Sequence, residues 1–271
     1  MKNFVISLLI CLVQLTGIAQ DKSSSTFSWP RKAKAAVCLT YDDGLDCHLD
    51  KAAPMLEKYG FRGTFYCTGN STSLQKRLSE WRALSKRGHE LGNHTLFHPC
   101  DGKRSSWVKP EYDFQNYTMN QIKNELYTAN TLLKAIDGKT ERTFAYTCTD
   151  CKVGNLSFVD TVKTMFLAAR GGGEIPENMD QLDLFYVPSW GVDSPTGKEL
   201  IAYIEKAKQS GTLAVFMFHS VGGGYLNVSA EAHEELLKYL KEHRDEYYTD
   251  TFMNVMKYIK QQRAVSEAST D

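Results

Sequence analysis

The stretch that decides the fold is Ala35-Ala-Val-Cys-Leu-Thr-Tyr-Asp-Asp-Gly44. Its apolar run predicts a buried strand, and the two carboxylates and the glycine at its end predict a turn. In parallel α/β folds, functional side chains collect where strands end and loops begin. Side chains alternate along an extended chain, so Asp42 and Asp43 can serve different purposes, one holding a metal and the other handling a proton. Taken alone, the pair is more typical of a helix N-cap aspartate beside a turn aspartate.

A second stretch, residues 88–98, changes this interpretation because it places His94 and His98 four residues apart. That spacing puts both imidazoles on one face of a helical turn, a common way to supply two nitrogen ligands to one metal. Catalytic zinc usually takes three protein ligands and leaves one position open. Asp43, His94 and His98 would complete such a set, so the two stretches together predict a metal site.

These motifs resemble those of a known family. Thr40-Tyr-Asp-Asp-Gly44 and His94-Thr-Leu-Phe-His98 resemble the first two motifs of the metal-dependent polysaccharide deacetylases, the carbohydrate esterases that carry the nodulation-factor deacetylase domain. Phe216-Met-Phe-His219 resembles the last motif of that family. The resemblance covers residues 34–263 and implies one α/β domain, a distorted and incomplete (β/α) barrel with about seven parallel strands.

The pattern along the chain agrees with a parallel α/β sheet, open or closed, because strand-like runs alternate with amphipathic segments. After the first run, the sequence predicts strands over residues 63–68, 89–93, 142–147, 166–170, 184–193 and 212–219. It predicts helices over residues 50–59, 73–87, 118–136, 159–164, 196–210, 229–243 and 251–262.

The first residues have the pattern of a signal peptide, residues 1–19: a lysine, a short apolar core and a small-x-small site that ends at Ala19. A lipoprotein anchor at Cys11 is the lesser alternative, since Ile10 is bulky where a small residue is expected. We therefore expect export to the periplasm or the extracellular space, with no transmembrane helix in the mature chain. Residues 20–33 are expected to form a flexible lead-in, and residues 264–271 a polar tail.

Composition narrows the class of partner. The chain has 32 basic and 32 acidic residues and is 42% hydrophobic. This balance argues against a nucleic acid and fits a neutral polymer such as a glycan. Once Cys11 leaves with the signal peptide, six cysteines remain, and an exported chain could pair them as disulfides. Cys148-Thr-Asp-Cys151 has the spacing of a redox or zinc pair, although a local loop feature is the more common origin, and the sequence does not assign the pairing.

The resemblance implies a role for each site residue. Asp43, His94 and His98 would hold a divalent metal, with zinc expected, and Asp42 would act as the general base. His219 would donate a proton to the leaving group and be oriented by Asp193. A backbone N–H near Tyr146 is a candidate for stabilising the oxyanion.

One family motif is altered. The family ends its fourth strand in an Arg-x-Pro-Tyr-Gly-like motif whose arginine pairs with the catalytic aspartate, but this chain has Ala145-Tyr-Thr-Cys-Thr149 there. Arg170 ends the next predicted strand, and its guanidinium could reach across one strand spacing. We predict that Arg170 replaces the missing arginine and contacts Asp42, the alternative being a surface ion pair. Arg142 is the poorer substitute because it lies at the start of its strand.

Aromatic residues suggest where a glycan would bind. Trp107 lies in a long irregular insertion, residues 99–117, whose aromatic side chains could stack on sugar rings or pack the loop as a small satellite core. Trp190 and Tyr146 are further candidates for binding the substrate. The implied reaction is removal of acetyl groups, from nitrogen or oxygen, from an acetylated glycan. The competing hypothesis is a non-catalytic, metal-containing glycan-binding protein on the same fold, which the altered arginine motif supports and the retention of Asp42 and His219 opposes.

Overall fold

The computed structural model describes residues 27–268 of the chain, and these residues form one parallel sheet surrounded by helices. The predicted signal peptide lies outside the described residues and stays a prediction. The strands are β1 (Ala35–Asp42), β2 (Thr64–Cys67), β3 (Glu90–Asn93), β4 (Phe144–Ala145), β5 (Lys152–Val153), β6 (Leu156–Ser157), β7 (Ala169–Arg170), β8 (Trp190–Gly191), β9 (Leu213–Phe218) and β10 (Tyr247–Thr249). Strands β5 and β6 form a separate antiparallel hairpin.

The main sheet has the order β7-β4-β3-β2-β1-β9-β8, and β10 pairs with the first residues of β1. It curls into a half-barrel of parallel strands, so the prediction of a distorted and incomplete (β/α) barrel is confirmed. Residues 184–191 run between its two edges: Val187 forms a bridge to Arg170 of β7, and Gly191 pairs with Met217 of β9. The seven strands predicted from the sequence all contribute to the sheet, and β10 was not predicted.

Strand β1 is buried over its whole length because both of its faces are covered. Val37, Leu39 and Tyr41 pack into one core cluster beneath the helices. Ala36 and Cys38 face the other way, into a second cluster that also contains residues of β4, β9 and the last helix. Asp42 follows the second alternation, so its side chain points to the inner face of the curled sheet.

The helices are α1 (Ala53–Lys58), α2 (Thr72–Lys76), α3 (Leu78–Lys86), α4 (Met119–Asp137), α5 (Val159–Met165), α6 (Gly197–Ser210), α7 (Ala230–Glu242) and α8 (Phe252–Ala268). The predicted capping box is present at α4, where Thr118 and Gln121 bond to each other's backbone N–H groups. Helix α8 continues to Ala268, so the tail expected from residue 264 begins inside it. Within residues 27–268, no helix combines the length and the apolar character that a membrane span requires.

The insertion of residues 99–117 is fastened to the loop that follows β4. A disulfide joins Cys100 to Cys148 across 48 residues of sequence. Asp150 adds to this connection by accepting hydrogen bonds from the backbone N–H of Asp101 and from the side chain of Arg104. The spacing of Cys148 and Cys151 therefore does not reflect a redox or zinc pair in the described structure, because Cys151 is free.

Candidate metal centre and active site

Two adjacent carboxylates reach one cavity because the backbone turns sharply where β1 ends. Asp42 is the last residue of the strand, while Asp43 and Gly44 have φ values of 77° and 64°. A left-handed conformation is uncommon for a residue with a Cβ and costs free energy. Here it breaks the alternation of an extended chain, and both Asp42 and Asp43 line the same cavity.

The two predicted histidine ligands lie on a loop rather than on a helical turn, which corrects the sequence interpretation. Strand β3 ends at Asn93, whose side-chain oxygen accepts the N–H of Thr95 at 2.8 Å. The Thr95 hydroxyl accepts the N–H of His98 at 3.0 Å. Thr95 and His98 have φ values of 63° and 55°, so the loop folds back on itself and brings both imidazoles inward.

Asp43, His94 and His98 form a compact set of potential metal ligands. The Nε2 atoms of His94 and His98 lie 3.5 Å and 3.4 Å from Oδ1 of Asp43. One ligand atom from each residue lies within 4.8 Å of the others. One carboxylate and two imidazoles are the kind of donors that zinc takes in catalytic sites.

The hydrogen bonding of this set fits a bound cation. His94 Nδ1 lies 2.8 Å from the carbonyl of Ala145 and can only donate to it, which leaves the lone pair of Nε2 facing Asp43. Burial lowers the pKa of His94 to about 3, so the ring is neutral at neutral pH. Oδ1 of Asp43 is buried and accepts no hydrogen bond from any residue within the described range 27–268. Two lone pairs that face each other in a buried place repel, and a cation between them would remove that repulsion.

The pKa of Asp43 also fits a bound cation. Burial raises the pKa of this carboxyl, but the neighbouring His98, His94 and His219 together outweigh the effect, and the pKa is lower than usual. Asp43 is therefore a carboxylate at neutral pH, the form that binds a metal.

Arg170 contacts Asp42, as the sequence analysis predicts. Its Nη2 donates to Oδ2 of Asp42, and its Nη1 donates to the hydroxyl of Ser189 at 3.0 Å. Both Arg170 and Asp42 are almost completely buried. Arg142 instead pairs with Asp137 and with backbone carbonyls near the start of β4, which agrees with its rejection as a substitute.

The route of this contact differs from the predicted one. Strands β4 and β7 are neighbours, with Ala145 opposite Arg170, but three strands separate β7 from β1 in the sheet order. Arg170 therefore reaches Asp42 through the interior of the half-barrel, helped by the curl of the sheet, and not across one strand spacing.

His219 follows β9 and approaches the same cluster from the other side. Its Nε2 lies 3.9 Å from Oδ2 of Asp43, and its carbonyl lies 2.8 Å from Nε2 of His48. The backbone N–H of Leu45 donates to Nδ1 of His48, so Nε2 of His48 carries the proton that holds the His219 backbone in place.

The predicted partner of His219, Asp193, is not its partner in this structure. Asp193 is exposed and accepts a hydrogen bond from Ser194 at 3.0 Å. The pairing with β9 ends at Val192, and Ser194 turns away with a φ of 54° to bond with Asn227. Nδ1 of His219 is buried and has no hydrogen-bond partner among the described residues.

The cavity of about 670 Å³ above the cluster includes Trp107 but neither Trp190 nor Tyr146. Trp107 is 64% exposed, with its ring centroid 6.3 Å from that of His98. The aromatic residues of the insertion serve both predicted purposes. Phe114 is buried in a satellite core, while Trp107 faces the cavity, where a sugar could stack. Trp190 packs on Tyr203 and Phe216 outside the cavity, so its predicted role in binding substrate is not supported by its position.

Tyr146 also lies elsewhere than predicted. Its side chain is buried against Phe158 and Tyr186, and its N–H donates to the carbonyl of Arg170 at 3.0 Å. The pairing between β4 and β7 thus occupies the N–H of Tyr146 itself, so a backbone N–H for the oxyanion would have to come from a neighbouring residue. The next residues, Cys148 and Thr149, line the cavity with φ values of 51° and 61°.

Sequence reasoning missed Tyr225, whose hydroxyl donates to Oδ2 of Asp43. It also did not assign Met217, which supplies an apolar part of the cavity lining. The only signal for Tyr225 was its position directly after Gly222-Gly-Gly224, a sequence that permits a close approach of the backbone.

Comparisons with known proteins identify a similarity in the first part of the chain. A family model described as polysaccharide deacetylase matches residues 30–153, a segment that carries Asp42, Asp43, His94 and His98. This match confirms the resemblance seen in the motifs, because residues 30–153 are similar to the polysaccharide deacetylase family.

Individual relatives extend the similarity over most of the chain. A peptidoglycan-N-acetylglucosamine deacetylase of Bacillus cereus is 24% identical over 240 residues, which cover 82% of this chain and 73% of the relative. A gellan lyase of a Bacillus species is 27% identical over 164 residues, 60% of this chain, but the match spans only 6% of that protein. A solved structure of a putative polysaccharide deacetylase from Mycobacterium smegmatis shares the fold, with a TM-score of 0.63, 14% identity and coverage of 88% of this chain and 94% of that one.

Proposed function

We propose that this protein is a metal-dependent hydrolase that removes acetyl groups from an acetylated polysaccharide or oligosaccharide. The observation that carries the proposal is the convergence of a carboxylate and an imidazole on one potential metal site. Asp42 lies beside His94, with 3.7 Å between Oδ2 and Nε2, and His219 lies beside Asp43. Binding a glycan requires neither an acid nor a base at this position, so the arrangement favours catalysis over binding alone.

The cofactor that we propose is a divalent metal, with zinc as the first candidate, held by Asp43, His94 and His98. When bound there, such an ion would lower the pKa of a water molecule and polarise the carbonyl of the acetyl group. The neutral His94 and the ionised Asp43 are already in the protonation states that metal binding requires.

The protein's own residues then have distinct tasks. Asp42 accepts the proton of the attacking water, and Arg170 keeps this base in place by binding its Oδ2. His219 donates a proton to the leaving group from the opposite side of Asp43. An amine leaves only with such a proton, whereas a sugar hydroxyl benefits less, so His219 suits an N-acetyl substrate especially well. The name of the Bacillus cereus relative, a deacetylase of N-acetylglucosamine in peptidoglycan, supports the same choice.

We also propose that the protein works outside the cytoplasm, in the periplasm or the extracellular space. The signal-peptide pattern of residues 1–19 is the first support. The disulfide between Cys100 and Cys148 is the second, because disulfides form and persist in oxidising compartments. Intact cell-wall glycans would be accessible there.

Acetate release from chitin oligomers, peptidoglycan and acetylated xylan tests the proposal. We expect activity on at least one of these glycans, its loss after treatment with a chelator, and its return when zinc is added. Asp42→Asn should keep the metal and lose activity, because the base is not a ligand. Asp160→Asn is the matched control, since Asp160 is an exposed carboxylate paired with Lys163 on α5. A protein that binds these glycans and zinc but releases no acetate would show the non-catalytic alternative to be right.

A further inference from the structure

Tyr225 is a cavity residue that lies far from the motifs in sequence. It follows strand β9 on a loop of residues 222–227, whose base is closed by backbone hydrogen bonds from Val228 to Ser220 and from Gly222 to Val228. At the end of this loop, the Tyr225 hydroxyl donates to Oδ2 of Asp43, and the ring lies beside His219 with 5.8 Å between centroids. The loop therefore places the phenol of Tyr225 in direct contact with Asp43, a potential metal ligand.

The three glycines before Tyr225 make this approach possible. Gly222, Gly223 and Gly224 have φ values of 72°, 120° and 120°, which residues with side chains rarely adopt. A Cβ on Gly224 would also lie 2.3 Å from the hydroxyl oxygen of Ser220. The backbone conformation before Tyr225 thus requires glycine, and this conformation places Tyr225 beside Asp43.

The two oxygens of Asp43 have separate surroundings. Oδ1 faces His94 and His98 and accepts no hydrogen bond in the part of the chain that the structure describes, whereas Oδ2 accepts the bond from Tyr225. The phenol fixes the rotation of the carboxylate, so that Oδ1 stays directed at the two imidazoles. Partners that orient a metal ligand in this way typically change metal affinity by about 10- to 100-fold.

The ring of Tyr225 has a second environment, the cavity itself. Tyr225 is 52% exposed and lies beside His219, while Trp107 is 64% exposed and lies beside His98. Because His98 and His219 approach different oxygens of Asp43, the two aromatic rings flank the metal site. Exposed aromatic faces on either side of a cavity can pack against the apolar C–H face of a pyranose ring held between them.

We propose that Tyr225 is a positioning residue for Asp43 through its hydroxyl and, through its ring, a determinant of specificity that holds the sugar opposite Trp107. The second part rests on the proposed function, whereas the first part depends only on metal binding. One residue would then link the capture of the glycan to the geometry of the metal site.

Two substitutions separate the hydroxyl from the ring. Zinc dissociation constants are measured by competition with a chromophoric chelator, without any substrate. Tyr225→Phe and Tyr225→Ala should both weaken zinc binding about tenfold. Tyr127→Phe is the matched control, because Tyr127 is 54% exposed on α4, away from the cavity, and its variant should bind zinc as the unaltered protein does. Unchanged zinc affinity in Tyr225→Phe would overturn the positioning role.

Kinetics on two substrates test the ring. Tyr225→Phe should keep the KM for a chitin oligomer, while Tyr225→Ala should raise it about tenfold, and neither should change the KM for a small alkyl acetate that contains no ring. An equal rise in KM on both substrates for Tyr225→Ala would refute the sugar contact. If the unaltered protein released no acetate at all, the proposed function would be wrong, and the zinc measurement would still decide the role of the hydroxyl.

Discussion

Arg170→Met would keep much of the length of the side chain and remove its charge from beneath Asp42. Arg170 is completely inaccessible to solvent, and Asp42 is 1% exposed, so water cannot replace the lost partner. The substitution also removes the hydrogen bond from Nη1 to Ser189 and the contact of the guanidinium with the ring of Tyr66, 5.2 Å away. It therefore isolates a buried carboxylate that has to be ionised to act as a base.

The expected size of the effect follows from this burial. Removing one partner of a buried ion pair destabilises a protein by about 3–5 kcal/mol, because the other charge is left uncompensated. Asp42→Asn should cost a similar amount, since it leaves Arg170 buried without its counter-ion. The double variant should cost clearly less than the sum of the two, with a coupling free energy of about 2–3 kcal/mol, because neither charge is then stranded. Loss of a hydrogen bond between charged groups at the base, worth about 1.5–3 kcal/mol, predicts that kcat falls roughly 10- to 150-fold in Arg170→Met.

Urea denaturation in the presence of a chelator measures the stability terms without a contribution from bound metal, and acetate release with saturating zinc measures kcat. Arg142→Met is the matched control, because the pair of Arg142 and Asp137 is also buried but lies outside the cavity. It should lose comparable stability and keep its kcat at a temperature where both variants are folded. Additive losses of stability in the double variant, or an unchanged kcat in Arg170→Met, would refute the inference that Arg170 holds the base.

Two further predictions concern the acid and the disulfide. His219→Ala should slow the hydrolysis of N-acetyl substrates far more than that of activated aryl esters, whose leaving groups need no proton, and equal losses in kcat/KM on both would count against His219 as the acid. Replacing Cys100 and Cys148 together by serine should lower the free energy of unfolding by about 4 kcal/mol, as expected for a closed loop of 48 residues, and a loss below 1 kcal/mol by urea denaturation would show that the loops are held by other contacts.

The local sequence was sufficient to locate the ends of the functional strands. The unbroken burial of β1 follows from its apolar run, and Asp42, Asp43 and His219 lie directly at or after strand ends, as predicted. His94 and His98 also lie close together, as predicted, but a loop and not a helical turn brings them there. Their loop is set by hydrogen bonds from Asn93 and Thr95 and by Glu125, which accepts the N–H groups of Leu96 and Phe97. Glu125 is distant in sequence from this loop. The spacing of the two histidines alone therefore could not show that they lie on a loop instead of a helical turn.

Three residues that were predicted to belong to the site lie outside the cavity, for one physical reason. Asp193, Trp190 and Tyr146 were assigned from a loose resemblance to family motifs that lie near strand ends, but a strand's last residues can face either side or leave the sheet. Tyr146 points into a satellite core, and Asp193 lies beyond the last hydrogen bond of its strand. Which side a short strand presents depends on its register with its neighbours, and strands of two residues such as β4 and β8 contain too little pattern to define it.

Arg170 and Tyr225 show how a site can be completed by residues that no motif contains. Both donate to a carboxylate of the Asp42-Asp43 pair, one from beneath through the interior of the half-barrel and the other from a glycine loop above the cavity. The two carboxylates therefore have different hydrogen-bond donors. Asp42 accepts from a permanent cation, whereas Asp43 accepts from a neutral phenol, which adds no positive charge. A cation beside Asp43 would compete with a metal for the same carboxylate, whereas a neutral donor orients it at no such cost. This difference in charge gives a physical reason why the first aspartate is suited to take a proton and the second to hold a metal.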